Sequence, residues 1–155
     1  MVKGYKYEGT AEKKAREIGG PMLRAGLGAR VRKEAMQLCY DLAKEGLLAQ
    51  GCRSEGSYYD PRSGTREWGC KYRGSRGRKC AIGFLIQDHE YDPKMEGGRV
   101  TIVLSHLLNR PVEDFDRFDS RICFLRQLQE VHDNYEPERW PEVLARVAEL
   151  WDLRP

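Results

Sequence analysis

The chain has 155 residues, 40% of them hydrophobic and 33% charged, with a formal net charge of +3. That length fits one domain, able to bury roughly two-thirds of its unfolded surface without a covalent staple. No apolar run is long enough to span a bilayer, and five cysteines at positions 39, 52, 70, 80 and 123 are not the even set of a secreted disulfide framework.

The start, Met1-Val2-Lys3-Gly4-Tyr5-Lys6, has no hydrophobic signal core. The expected compartment is therefore the reducing cytoplasm, with the thiols free. The charge is unevenly spread. Residues 1–82 hold 18 Lys/Arg against 9 Asp/Glu, and residues 83–155 hold 9 against 15. A bipolar surface of this kind can steer an anionic partner to one side. The competing expectation is that the two halves neutralise each other in the fold.

Residues 1–9 read as a loose polar start, and Thr10 to about Gly19 as a short helix that Gly19-Gly20-Pro21 stops. A clear helix is predicted from about Val31 to Gln50, with Met36, Cys39, Tyr40, Ala43 and Leu47 on one face and Gly51 as its left-handed stop. Residues 52–79 read as a hairpin and loop insertion. Tyr58-Tyr59 and Glu67 to Tyr72 are its arms, and Asp60-Pro61-Arg62-Ser63-Gly64 is its connection.

The run Ala81 to Ile86, headed by Cys80, is apolar on every side and is expected as a buried helix or a buried strand. An acidic loop spans Asp88 to Gly98. Helices are then predicted on Val100, Val103, Leu104, Leu107 and Leu108, on Ile122, Leu125, Leu128 and Val131 with Asp119 or Ser120 as cap, and on Val143, Val147, Leu150 and Trp151 with Pro141 in the first turn. The fold class expected is α+β: one helix-rich domain over 1–155 with a small central β-hairpin.

Four groups of residues are candidate sites. Cys80, at a helix start and beside Arg78 and Lys79, has the setting that favours a thiolate. His132 is its candidate base in a cysteine-dependent enzyme. The plain alternative is a small thiol that packs well. Cys52, Cys70, Cys80 and His89 could hold a structural zinc ion, but no close C-x-x-C type pair is present. The expectation is thus of no metal and no cofactor. Asp88, Glu90, Asp92 and Glu96 alternate like calcium ligands, but Pro93 stands where such a loop needs Gly and Arg99 where it needs Glu. Asp92 is better read as a turn cap.

The fourth group is a basic and aromatic strip. Arg62, Arg66, Lys71, Arg73, Arg76, Arg78 and Lys79 interleave with Tyr58, Tyr59, Trp68 and Tyr72. Cations meet phosphates and flat rings stack on unpaired bases. The same mixture suits an acidic protein partner, and the plain alternative is a solvated hairpin with its rings folded into the core.

The residues Lys79-Cys80-Ala81-Ile82-Gly83, Leu85-Ile86, Asp88, Tyr91-Asp92-Pro93 and Met95-Glu96-Gly97 resemble a motif, K-C-A-x-G-x-L-I-P-D followed by Y-D-P and E-G, in a group of small uncharacterised phage and bacterial proteins. Leu128-Gln129, Val131-His132-Asp133 and Trp140-Pro141 resemble the C-terminal part of that group, so the likeness covers about residues 35 to 150. Gln87 replaces a proline, the stretch Glu55 to Thr65 is longer than in the group, and residues 1–30 match nothing in it. The resemblance implies a phage-linked, intracellular origin and supplies no catalytic residue. Together these readings predict first a binding protein that contacts nucleic acid or an acidic host protein through the hairpin and has no membrane partner, with a cysteine-dependent enzyme and a zinc-stabilised interaction module as the alternatives. Inhibition of a host defence complex is the use such an origin suggests.

Overall fold

The computed structural model describes residues 29–155. The loose start over 1–9 and the helix expected over Thr10 to Gly19 lie outside the described residues. The remainder is helix-rich α+β, as the periodicity predicts. In chain order it comprises α1 (Ala29–Gln50), β1 (Glu55–Asp60), β2 (Thr65–Cys70), α2 (Val100–Leu108), α3 (Ser120–Asn134) and α4 (Trp140–Leu150). Short 3-10 turns fill much of the space between them.

The core forms where α1, α3 and α4 meet. Tyr40, Ala43 and Leu47 of α1 close on Phe124, Leu128 and Val131 of α3 and on Trp140 and Leu144 of α4, all fully buried or nearly so. The Tyr40 hydroxyl donates to the Leu144 carbonyl at 3.1 Å, so the one polar atom of that ring is satisfied inside the core. Gly51 stops α1 with φ +63, a conformation that costs glycine little. Asp119 caps α3 by accepting from the Arg121 amide at 2.8 Å.

The apolar run after Cys80 is neither the α-helix nor the strand expected of it. Residues Ile82–Leu85 form a single 3-10 turn. Both ends of the run are held by other elements. Gln50 at the end of α1 takes the Lys79 amide (2.8 Å) and gives to the Lys79 carbonyl (2.9 Å), and Ile86 is already extended. Gly83 lies so close to the Tyr72 carbonyl oxygen that a Cβ there would approach within 2.2 Å. A longer helix would break these contacts. Trp140 is the buried first residue of α4, with its indole N–H given to the Tyr135 carbonyl at 3.0 Å.

Candidate functional site

The hairpin register pairs Ser57 with Trp68 and Tyr59 with Arg66, so these four residues share one face. Tyr58 lies on the other face and packs against Gly97, where a Cβ would meet its ring at 2.3 Å. The Tyr58 face thus docks onto the body of the protein and the Tyr59 face stays open. Trp68 is 73% exposed and Tyr59 56% exposed. Arg66 donates through Nε to Ser57 Oγ at 3.0 Å, which holds its guanidinium beside the two rings. Gly64, with φ +71, closes the connection.

The structure divides the predicted strip. Arg66, Trp68, Arg76 and Arg78 remain available, and among the described residues none of these three arginines has a carboxylate partner. Tyr72 is a core residue. It is buried and gives its hydroxyl to the Gly98 carbonyl at 2.7 Å. Arg73 is engaged by Asp88 and lies over the Tyr91 ring, and Lys79 stands 3.9 Å from the same carboxylate. The Arg73 guanidinium beside Asp88 holds that carboxyl below its ordinary range. Lys71 gives its ammonium to the Ser57 carbonyl, and Arg62 folds back on Asp60 of its own turn. Part of the basic half is therefore neutralised by the acidic half, as the charge asymmetry allowed.

Cys80 is fully buried, and its sulfur accepts from the Gly83 amide at 3.4 Å. Burial pushes the thiol far up from its ordinary value. The preceding expectation of a helix dipole at this thiol lapses with the helix itself. Gln129 links it to the rest of a half-buried polar chain. The Gln129 carbonyl accepts from the Ile82 amide at 3.1 Å, and its amide group gives to Asp133 Oδ1 at 2.8 Å. Asp133 Oδ1 also lies 2.8 Å from His132 Nδ1.

The state of His132 follows from its other nitrogen. Nε2 accepts from the Ser54 backbone N–H at 2.8 Å. An amide can only donate, so Nε2 carries the lone pair, Nδ1 carries the proton, and Nδ1–H donates to Asp133. The ring is fully buried and stacks on Trp140, with centroids 5.7 Å apart. The one lone pair that could take a proton from a nucleophile is occupied by backbone. Cys80 and His132 belong to one polar chain, but no hydrogen bond joins them. This arrangement favours the packing role for Cys80.

No three of Cys52, Cys70, Cys80 and His89 gather as ligands among the described residues. A different trio does. Ligand atoms of Cys70, His132 and Asp133 lie within 4.8 Å of one another. The donor set suits protons better than a cation. A metal at Nδ1 would drive the ring proton onto Nε2, against the Ser54 amide, and burial and Asp133 push the Cys70 thiol up to about 12.

Two features have no local signal in the sequence. The buried Glu96 carboxylate accepts from the amides of Tyr72 and Arg73, each at 3.0 Å, and from the Tyr91 hydroxyl at 2.7 Å. It joins the end of the hairpin segment to the acidic loop. Asp92 does act as a cap there, accepting from the Lys94 amide at 2.9 Å. The second feature is a pair of clefts flanking Gly97, Gly98 and Arg99. One, of about 620 Å³, is lined by Arg99, Arg117, Phe118 and Arg126 among others. The other, of about 380 Å³, is bounded by Arg62 at the hairpin tip, Lys94 and Arg99. Only the fold brings these separated cations together.

No protein-family model, no curated protein and no solved structure matches this chain. Among the described residues no helix is long and apolar enough to cross a membrane.

Proposed function

We propose that this chain is a nucleic-acid-binding protein of phage or mobile-element origin that works by contact and not by turnover. The observation that carries the reading is the open hairpin face, where Trp68 (73% exposed) and Tyr59 (56% exposed) stand beside Arg66. A tryptophan left in water on a two-stranded ribbon forgoes roughly 1.5 kcal/mol or more of burial free energy, and a stacked base would recover it. Arg66, Arg76 and Arg78 supply charge for the phosphates. Occupation of a host complex is the use that the implied origin suggests. A nucleophilic role for Cys80 has less support, because its thiol is buried and the His132 lone pair is taken.

Binding of labelled single-stranded oligonucleotides, read by fluorescence anisotropy across a salt series, tests this. The expected result is a steep loss of affinity with salt and a loss of roughly tenfold on Trp68→Ala, as for one stacked base. Polyglutamate binding as tightly as oligonucleotide would transfer the face to an acidic protein partner. Binding that ignores both salt and Trp68 would remove the proposal.

A further inference from the structure

We infer that the two clefts around Gly97, Gly98 and Arg99 continue the hairpin surface into a track for one unpaired nucleic-acid strand, with Phe118 as a second stacking platform. This rests on the nucleic-acid reading above and adds a site that the hairpin alone does not contain.

The clefts share Gly97, Gly98, Arg99 and Thr101, so they lie side by side across a short segment of backbone. Asp60, Pro61 and Arg62 bound the smaller one. These residues are the tip of the hairpin, which carries Tyr59 and Arg66. The clefts lie on the body side of the ribbon and the open face on the other, so a strand leaving that face rounds the tip past Arg62 to reach them. The cations along the path come from separate places: Arg62 from the hairpin, Lys94 and Arg99 from the approach to α2, Arg117 from the loop before α3, and Arg126 from α3.

The lining acids are already engaged and several of the cations are not. Asp60 holds Arg62, Glu96 is saturated by two amides and a phenol, and Asp133 holds His132 and Gln129. Glu130 stands 3.8 Å from Arg126, an exposed pair that a phosphate can exchange at little cost. Among the described residues, Lys94, Arg99 and Arg117 have no carboxylate partner. Glu96 and Asp133 keep their charge under these neutral donors, so the five cations Arg62, Lys94, Arg99, Arg117 and Arg126 outnumber the four carboxylates of the lining by one.

Phe118 gives the track its second ring. It is 75% exposed, and the Arg117 guanidinium lies 4.8 Å from its centroid. A flat ring next to a free cation is the pairing that holds a base and its phosphate together. The larger cleft, about 620 Å³, falls within the ~300–1,000 Å³ range of small-ligand sites. That admits a nucleotide or two and not a duplex, whose bases are stacked inward.

The test compares labelled oligo-dT, oligo-rU and a duplex of equal length against the whole chain. Arg99→Ala with Arg117→Ala is expected to weaken single-strand binding at least about tenfold and to lower the salt slope by about 1.4, two phosphate contacts. Phe118→Ala is expected to cost roughly tenfold. Arg146→Ala, on the exposed side of α4, should leave binding unchanged, and the Lys replacements at 99 and 117 should restore most of it. All these side chains are exposed, and an unaltered melting temperature verifies that the fold is kept. Wild-type affinity in the Arg99/Arg117 and Phe118 variants, with binding still lost on Trp68→Ala, overturns the track and leaves the hairpin reading intact. Duplex binding equal to single-strand binding also overturns it. Absence of binding by the unaltered chain at low salt overturns both.

Discussion

The Ser54 backbone amide gives its hydrogen to Nε2 of His132 at 2.8 Å, across 78 residues of sequence. That single bond joins the segment entering β1 to the last turns of α3 and fixes the tautomer of a fully buried ring. Replacing His132 by alanine leaves an orphan amide, deprives Asp133 of a donor and opens a void against Trp140. The expected loss is about 3 kcal/mol in urea denaturation. A loss under about 1 kcal/mol would mean that the hairpin is held by other contacts.

Glu96 is a second such anchor. Glu96→Gln puts an amide group, itself a donor, among the N–H groups of Tyr72 and Arg73 and the Tyr91 hydroxyl. It should destabilise by roughly 2 kcal/mol, since bonds to a charged acceptor are the stronger ones. Tyr91→Phe removes only one of the three and should cost about 1 kcal/mol. Similar values for the two variants would contradict the shared-acceptor geometry.

Two glycines should respond differently to alanine. At Gly83 the new Cβ would stand 2.2 Å from the Tyr72 carbonyl oxygen, and a loss of at least about 2 kcal/mol is expected. At Gly64 nothing lies within 4 Å, and the cost should be only the left-handed backbone, about 1 kcal/mol. Thermal melts of both variants decide the matter, and the order Gly83 above Gly64 is the point at issue.

Acid should act on α3 through its cap. Hydrogen bonding to the Arg121 side chain, helped by the Arg121 and Ile122 amides, holds the Asp119 carboxyl below its ordinary range. A folded-state pKa below the unfolded one means that its stabilisation is complete above about pH 4 and is lost as pH falls through the depressed value. The melting temperature should therefore drop below that pH, and Asp119→Asn, which still caps but cannot titrate, should make the drop shallower. An identical acid profile for the two proteins would count against Asp119.

The thiols give an independent check on the enzyme alternative. Burial pushes Cys39 up to about 12 and Cys80 up as well, whereas Cys52 and Cys123 are only half-buried. Iodoacetamide on the folded chain at neutral pH should modify Cys52 and Cys123 first and spare Cys39 and Cys80 until denaturant is added. Rapid labelling of Cys80 in the native protein would revive the nucleophile.

The helices were legible because their signals are local. Met36 to Leu47 repeat at helical spacing, Pro141 stands in a first turn, and Asp119 precedes an apolar period; each of these is read within a few residues. The hairpin was legible from its Pro- and Gly-containing connection. The form of the Cys80 run was not, because Gln50 and the Tyr72 carbonyl decide it and both are distant in sequence. The same holds for the site. Trp68 and Arg66 are exposed, but nothing local distinguishes them from Tyr72 and Arg73, which the fold engages with Gly98 and Asp88. Arg117 and Phe118 carry no local signal, and Arg99 stands out only as a misfit in a calcium-like loop, because their meaning lies in convergence.

Glu96 has a consequence for how this sequence should be compared with others. The residues that stand out as a motif are consumed by architecture: Cys80 and Gly83 in close packing, Tyr91 and Glu96 in one clasp, Asp92 in a cap, Gly97 beneath a tyrosine ring. A protein that shares these residues would be expected to share the chassis they build. What such a protein holds would have to be read elsewhere, because the exposed rings and unpaired arginines lie outside the motif.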